Sequence, residues 1–143
     1  MNDADEIEVW AESIRALAPF AARIREPAFQ FGSWHDQDAN ADGSISMPWF
    51  DFSDDAQAII AAAAGWILPG FDWPAWQHTA EAERLLSDPA ALAEASPKQI
   101  ARILTLLIRQ DRFVEGELAR VYESGLLRRA LERVAVFEAL GRR

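Results

Sequence analysis

The sequence predicts a mainly α-helical protein: a single-domain helical bundle of about five or six helices with a small β-hairpin near residues 28–52. Apolar residues recur every three or four positions through several long stretches, which is the period of a helix with one buried face. Serine or proline precedes most of these stretches and glycine follows them, as at the two ends of helices. A chain of 143 residues that is 50% hydrophobic can bury one core.

Residues 1–27 are predicted to form an N-terminal helical segment. Its apolar stripe consists of Ile7, Trp10, Ile14, Leu17, Ala21 and Ile24. Pro19 has no backbone N–H to give the helix, so it should kink or split the segment. Pro27 closes the segment, because the residue before a proline disfavours helix.

Residues 28–52 are predicted to form the hairpin, with short aromatic strands over residues 28–34 and 45–52 and an acidic loop between them. Residues 53–143 should form the helical core. Ser53 is expected to begin its first helix and Gly65 to end it. The aromatic run that follows contains several prolines and glycines and should be irregular and packed.

The helix that starts at Ser96 is predicted to be the central, most buried helix, because apolar residues cover most of its surface as far as Ile108. The next helix should end at Gly125, a residue suited to the left-handed conformation. A last helix should then run to Gly141.

Charge is distributed unevenly along the chain. The net charge is -9, and residues 26–83 contain ten acidic residues and no lysine or arginine. Such acidity disfavours direct binding to nucleic acid and favours a basic partner or a cation. The chain has no cysteine, which excludes disulfides and thiolate chemistry. Because the first residues are acidic and no apolar run is long enough to span a membrane, we expect a cytoplasmic protein without membrane contact.

A possible calcium loop lies in the acidic segment. Asp38, Asn40, Asp42 and Ser44 place oxygen atoms at alternating positions, as calcium-binding loops do. The twelfth position, where such loops carry a bidentate glutamate, is Trp49. The two interpretations are a weak calcium site and a solvated turn. The missing glutamate favours the turn, so no cofactor is expected, with weak calcium binding as the alternative.

Aromatic residues are concentrated in one part of the chain, since nine of the fifteen lie between Phe31 and Trp76. Such rings could line a ligand pocket or contact a partner. The simpler interpretation, which we favour, is a core with few regular elements filled by large rings.

The sharpest charged motif is RQDRFVEGEL at residues 109–118. Arg109 and Arg112 are three residues apart and share a helical face, with Glu115 a further three residues along. Two guanidinium groups could hold a phosphate or carboxylate. They could also pair with Asp111 and Glu115 in a structural ion-pair network, and catalysis by the carboxylates is a third interpretation. We favour the network, because charged clusters mark functional sites only in some cases.

The same motif, together with MPWFDF at residues 47–52, GWILPGFDWPAW at residues 65–76 and ESGLL at residues 123–127, resembles a bacterial family, domain of unknown function 6508. The resemblance implies a shared fold and no particular reaction. The family pattern often has a cysteine and a histidine where this sequence has Val114 and Glu117. The resemblance therefore implies no thiol or imidazole chemistry at these positions.

We expect a non-enzymatic binding or regulatory module for a protein partner or a small anionic ligand. The rival hypothesis is an enzyme or a protein for a nucleotide-type ligand. Its site would consist of Arg109, Asp111, Arg112 and Glu115, with Trp73 and Trp76 as cleft walls. A third hypothesis is an acidic inhibitor that mimics nucleic acid.

Overall fold

A computed structural model describes residues 3–35, 49–114 and 116–142. The protein is mainly α-helical with one small antiparallel hairpin, which confirms the predicted fold class. The elements are α1 (Asp3–Val9), α2 (Ala11–Leu17), α3 (Phe20–Arg23), β1 (Gly32–His35), β2 (Trp49–Phe52), α4 (Asp54–Ala62), a 3-10 helix (Ala63–Trp66), α5 (Trp73–Trp76), α6 (Ala80–Ser87), α7 (Pro89–Ala93), α8 (Pro97–Asp111), α9 (Glu117–Glu123) and α10 (Leu126–Gly141). Within the described ranges the helices outnumber the five or six expected, because several are short.

The N-terminal segment is divided as its proline predicts. α2 ends at Leu17 and α3 begins at Phe20, with Pro19 between them. The predicted apolar stripe faces the core, since Ile14 and Leu17 are buried and Trp10 packs against buried neighbours. The N-terminal helices therefore cover α10, which contacts α1, α2 and α3.

The hairpin is shorter than predicted at its first strand. β1 and β2 pair antiparallel, with Gly32 opposite Phe52 and His35 opposite Trp49. Residues 28–31 were expected in the strand, but the chain first turns after Pro27, and Phe29 N donates to Glu26 O at 3.0 Å. Residues 45–48 of the second predicted strand lie outside the described residues.

Gly65 does not end a helix in the left-handed conformation, which corrects the prediction. α4 begins at its Ser53 cap as expected, but continues beyond Ala62 as the 3-10 helix that contains Gly65. The reason for glycine is close packing, because a Cβ there would lie 2.7 Å from Ser13 Oγ. Ser13 Oγ also donates to Gly65 O at 3.2 Å.

α8 is buried along most of its length, as predicted, and contacts α9, α10 and the 3-10 helix. Its start has the capping box in which Ser96 Oγ accepts from Gln99 N and Gln99 Oε1 accepts from Ser96 N. Thr105 is the buried polar residue of this helix, and its Oγ1 accepts from Leu68 N at 3.0 Å. No helix in the described ranges combines the length and apolarity needed to cross a membrane.

A half-buried carboxylate joins α6, α5 and α8. Glu81 Oε1 accepts from Trp76 Nε1 and from an Arg102 Nη1, each at 2.8 Å, and Glu81 Oε2 accepts from Gln99 Nε2 at 3.3 Å. Burial raises the pKa of Glu81, but the hydrogen bonds from Trp76 and Gln99 and the charge of Arg102 outweigh it and hold the pKa below its usual range. This network, which we call the Glu81 hub, fixes the aromatic segment against α8.

We expect the Glu81 hub to make stability depend on pH. Because folding lowers the pKa of Glu81, the hub stabilises the fold at pH values above the ordinary glutamate pKa of 4.5, and this stabilisation is lost as the pH falls through the folded-state pKa. Glu81→Gln should lower the free energy of unfolding at pH 7 by about 1–2 kcal/mol. It should also make the free energy of unfolding decrease less steeply as the pH is lowered. Urea unfolding at several pH values measures both effects. Glu83→Gln, which makes the same change at an exposed neighbour, should alter neither the free energy of unfolding at pH 7 nor its dependence on pH.

Candidate functional site

The RQDRFVEGEL motif forms the corner between α8 and α9. Arg109 and Asp111 lie in the last turn of α8, and Arg112 to Val114 form the loop. Gly116 precedes the first residue of α9. Glu115, one of the predicted site residues, lies outside the described residues.

The side chain of Asp111 caps the next helix, α9. Its Oδ1 accepts a hydrogen bond from Leu118 N at 3.0 Å, and Leu118 is in the first turn of α9. The residue at the usual capping position is Gly116, which has no side chain to accept such a bond. Asp111 therefore supplies from the end of α8 the cap that α9 lacks locally.

Gly116 allows the hairpin to pack on this corner. Its φ is +80°, in the left-handed region, and a Cβ there would lie 1.9 Å from Trp34 Cη2. A side chain at this position would displace the indole ring of Trp34, which also packs edge-on against Phe50. The glycine of the motif thus has both a conformational and a packing role.

The predicted ion-pair network includes Glu115, which lies outside the described residues, so the network stays a prediction. Among the described residues, neither Arg109 nor Arg112 forms an ion pair or a side-chain hydrogen bond. Arg109 is half-buried and Arg112 is exposed. In the described part of the chain, the motif is held together by the Asp111 cap and by Gly116 packing.

The loop presents apolar side chains to solvent. Phe113 is 77% exposed, although its ring contacts Trp73 with the centroids 6.0 Å apart, and Val114 is 42% exposed. Trp34, on Gly116, is 39% exposed. We call the set Trp34, Trp73, Arg112, Phe113 and Val114 the aromatic loop surface. The sequence offered one signal for it, a phenylalanine and a valine inside an otherwise charged motif.

Trp76 and Trp73 have different positions. Trp73 is half-buried, and its ring contacts that of Phe113 in the loop. Trp76 is only 8% exposed, and its indole N–H donates to Glu81. This position does not fit the predicted role of Trp76 as the wall of an open cleft.

Several acids of residues 26–83 have structural partners. Asp55 Oδ1 lies 2.6 Å from an Arg23 Nη2, and Asp72 Oδ1 accepts from Ala75 N as the cap of α5. Glu81 is the centre of its own network. These three carboxylates have partners within the fold, and the hypothesis that the acidic segment mimics nucleic acid stays a prediction.

In the described ranges, no three histidine, aspartate or glutamate side chains are grouped so that they could hold a metal ion. The predicted calcium ligands Asp38, Asn40, Asp42 and Ser44 lie outside those ranges, so that prediction stays untested by the structure.

The Asp111 cap predicts unequal effects of two substitutions. Asp111→Ala should lower the free energy of unfolding by about 1 kcal/mol, because Leu118 N loses its acceptor. Asp111→Asn keeps an acceptor oxygen and should retain most of that stability. Chemical denaturation of the two variants measures the difference, and equal losses would refute the capping role.

The effect of the Gly116–Trp34 contact on stability can be measured separately from the effect of backbone strain. Gly116→Ala should lower the free energy of unfolding by more than about 1 kcal/mol. Gly70→Ala is the matched control, because Gly70 also has a positive φ, +71°, but a Cβ there has no atom within 4 Å. The excess loss at Gly116 should shrink when Trp34→Ala is added. Additive losses in the double variant would show that the ring is not the obstacle.

The model of a family of unknown function, DUF6508, matches residues 9–139. No curated protein and no solved structure matches at a significant level. The matched region includes α2 to α9, most of α10 and the corner formed by RQDRFVEGEL. The chain therefore belongs to the DUF6508 family.

Proposed function

We propose that this protein is a non-enzymatic binding module that holds an acidic, apolar-bearing segment of a partner protein on the aromatic loop surface. The observation that best supports this proposal is the exposure of Phe113 to solvent. Phe113 is 77% exposed, and Asp111 and Gly116 fix the chain on either side of it.

The apolar part of the surface supports a protein partner. Burying an exposed phenylalanine contributes about 1.5–3 kcal/mol, and aromatic side chains with arginine are the residues enriched at binding hot spots. Phe113 and Trp73 already contact each other, so the partner would meet a preformed pair of rings. A preformed surface loses less conformational entropy on binding.

The charged part supports an acidic partner. Arg112 precedes Phe113 in the loop and is exposed, and it has no ion-pair partner among the described residues. A guanidinium group can hold a carboxylate through two parallel hydrogen bonds. A partner segment with a large apolar residue beside aspartate or glutamate would match both features.

Two observations favour this proposal over an enzyme or a small anionic ligand. Of the described carboxylates of the motif, Asp111 accepts from the backbone of α9 and Glu117 accepts from Arg120 Nη1 at 3.2 Å. Arg112 is exposed, and Trp76 is buried in the Glu81 hub, so the described residues do not form the expected enclosed Arg and Trp site. An open surface suits a protein segment better than a small molecule.

Selection from a displayed random-peptide library, followed by binding measurements on the selected peptides, tests the proposal. We expect enrichment of aspartate or glutamate next to a large apolar residue. Phe113→Ala should weaken binding by ~30-fold, since hot-spot truncations cost about 2 kcal/mol or more. It should change the free energy of unfolding by less than about 0.5 kcal/mol, because the ring is mostly exposed.

Matched variants provide the controls. Val9→Ala truncates an apolar side chain that is 69% exposed on α1, and it should leave peptide binding unchanged. Arg112→Glu should abolish binding, whereas Arg25→Glu, the same change at another exposed arginine, should have little effect. The proposal fails if the selected peptides are basic or if their binding does not depend on Phe113.

A further inference from the structure

The outer edge of β1 is open. Ser53, which follows β2, donates from its backbone N to Phe31 O at 3.0 Å, so residue 31 bonds towards the second strand. Because bonding direction alternates along an antiparallel strand, the N–H and C=O groups of Gly32 and Trp34 point away from β2. Within the described ranges no backbone hydrogen bond reaches these outward groups. All four residues of β1 are exposed, as an uncovered edge requires.

The opposite edge of the hairpin is covered. Phe52 O, at the outer edge of β2, accepts from Gln57 Nε2 at 3.0 Å, and α4 contacts this strand. In the described part of the chain, a further strand therefore has access to the hairpin through β1. An edge with unpaired backbone groups is a template for such a strand.

The open edge is continuous with the aromatic loop surface, because Trp34 belongs to both. The indole ring of Trp34 lies on Gly116. Gly116 is three residues from Phe113, so their Cα atoms are at most about 11 Å apart. Because an extended chain advances about 3.3 Å per residue, a segment of about eight residues can pair along β1 and still reach Phe113.

The two faces of β1 differ in polarity. Trp34 faces the corner between α8 and α9, whereas Ser33 and His35 lie on the opposite face and are exposed. Side chains of an added strand alternate in the same way. Apolar side chains of that strand would meet Trp34, and acidic ones would lie in water beside Ser33 and His35.

We propose that the partner segment binds in an extended conformation as a third strand on β1. Its main chain exchanges hydrogen bonds with the outward N–H and C=O groups of Gly32 and Trp34, and its apolar and acidic side chains alternate. The inference rests on the proposed function, because it gives a conformation and a side-chain pattern to the same acidic, apolar-bearing segment. In recognition of this kind, main-chain bonds supply affinity and alternate side chains supply specificity.

Methylation of a peptide backbone tests the strand pairing without altering the protein. The probe is the octapeptide acetyl-DVDFDVDV-amide, in which aspartate alternates with an apolar residue. One derivative is N-methylated at its fourth and sixth residues, which are apolar, and the other at its third and fifth, which are aspartates. NMR titration of the ¹⁵N-labelled full chain measures the binding of each peptide.

The two derivatives should bind unequally, because the N–H groups of an added strand face β1 at alternate residues. One derivative should bind at least about tenfold more weakly than the unmodified probe, since it loses two hydrogen bonds. The other should bind within about threefold of it. An antiparallel strand is weakened by methylation at the apolar positions, and a parallel strand by methylation at the aspartates.

Two substitutions at Trp34 separate the edge donor from the ring. Trp34→Ala removes the ring alone, whereas Trp34→Pro also removes the outward N–H. Proline is accepted at the edge of a sheet where its missing N–H would face solvent. Trp34→Pro should weaken binding of the unmodified probe at least about threefold more than Trp34→Ala does.

Unequal binding of the two methylated derivatives supports strand addition, and equal binding overturns it. If Phe113→Ala weakens binding while the derivatives bind equally, the proposed function stands and strand addition fails. If the derivatives differ but Phe113→Ala has no effect, a strand adds to β1 and the proposed role of Phe113 fails. Absence of binding by the unmodified probe also overturns strand addition, and the peptide selection then decides the proposed function separately.

Discussion

The contact between the backbone of Gly116 and the indole ring of Trp34 joins the two parts of this fold. On one side are α8 and α9, whose corner is capped by Asp111. On the other is the hairpin, where Trp34 packs on Phe50 and Phe31 stacks on Tyr122 of α9 with ring centroids 4.5 Å apart. Any side chain at residue 116 would separate the ring from the corner. Trp34, one member of the aromatic loop surface, is therefore held beside the corner.

Much of the fold could be predicted because its signals are local. The Ser53 and Ser96 caps, the division at Pro19 and the left-handed Gly125 each depend on the conformation of one residue. Gly65 was mispredicted because its reason is long-range, namely the approach of Ser13 across 52 residues. The Glu81 hub was missed for the same reason, since Glu81 and Arg102 are 21 residues apart.

The candidate site was predicted in part. The sequence directed attention to the motif and to Trp73, and the structure places Trp73 beside Phe113. It did not predict that Asp111 would cap α9, because a cap seven residues away has no periodic signal. The spacing of the charges predicts an ion-pair network, and this stays a prediction because Glu115 lies outside the described residues. Spacing does not reveal that the α8 helix ends at Asp111 and that the chain then turns.

We expect Asp111 and Gly116 to hold the corner rigid, so that Phe113 is presented outward in one conformation. Backbone ¹⁵N relaxation of residues 112–114 measures this rigidity. A rigid corner should give order parameters near 0.85, equal to those of α8. Values below about 0.6 across these residues would contradict it, because Phe113 would then belong to a flexible loop and not to a preformed surface.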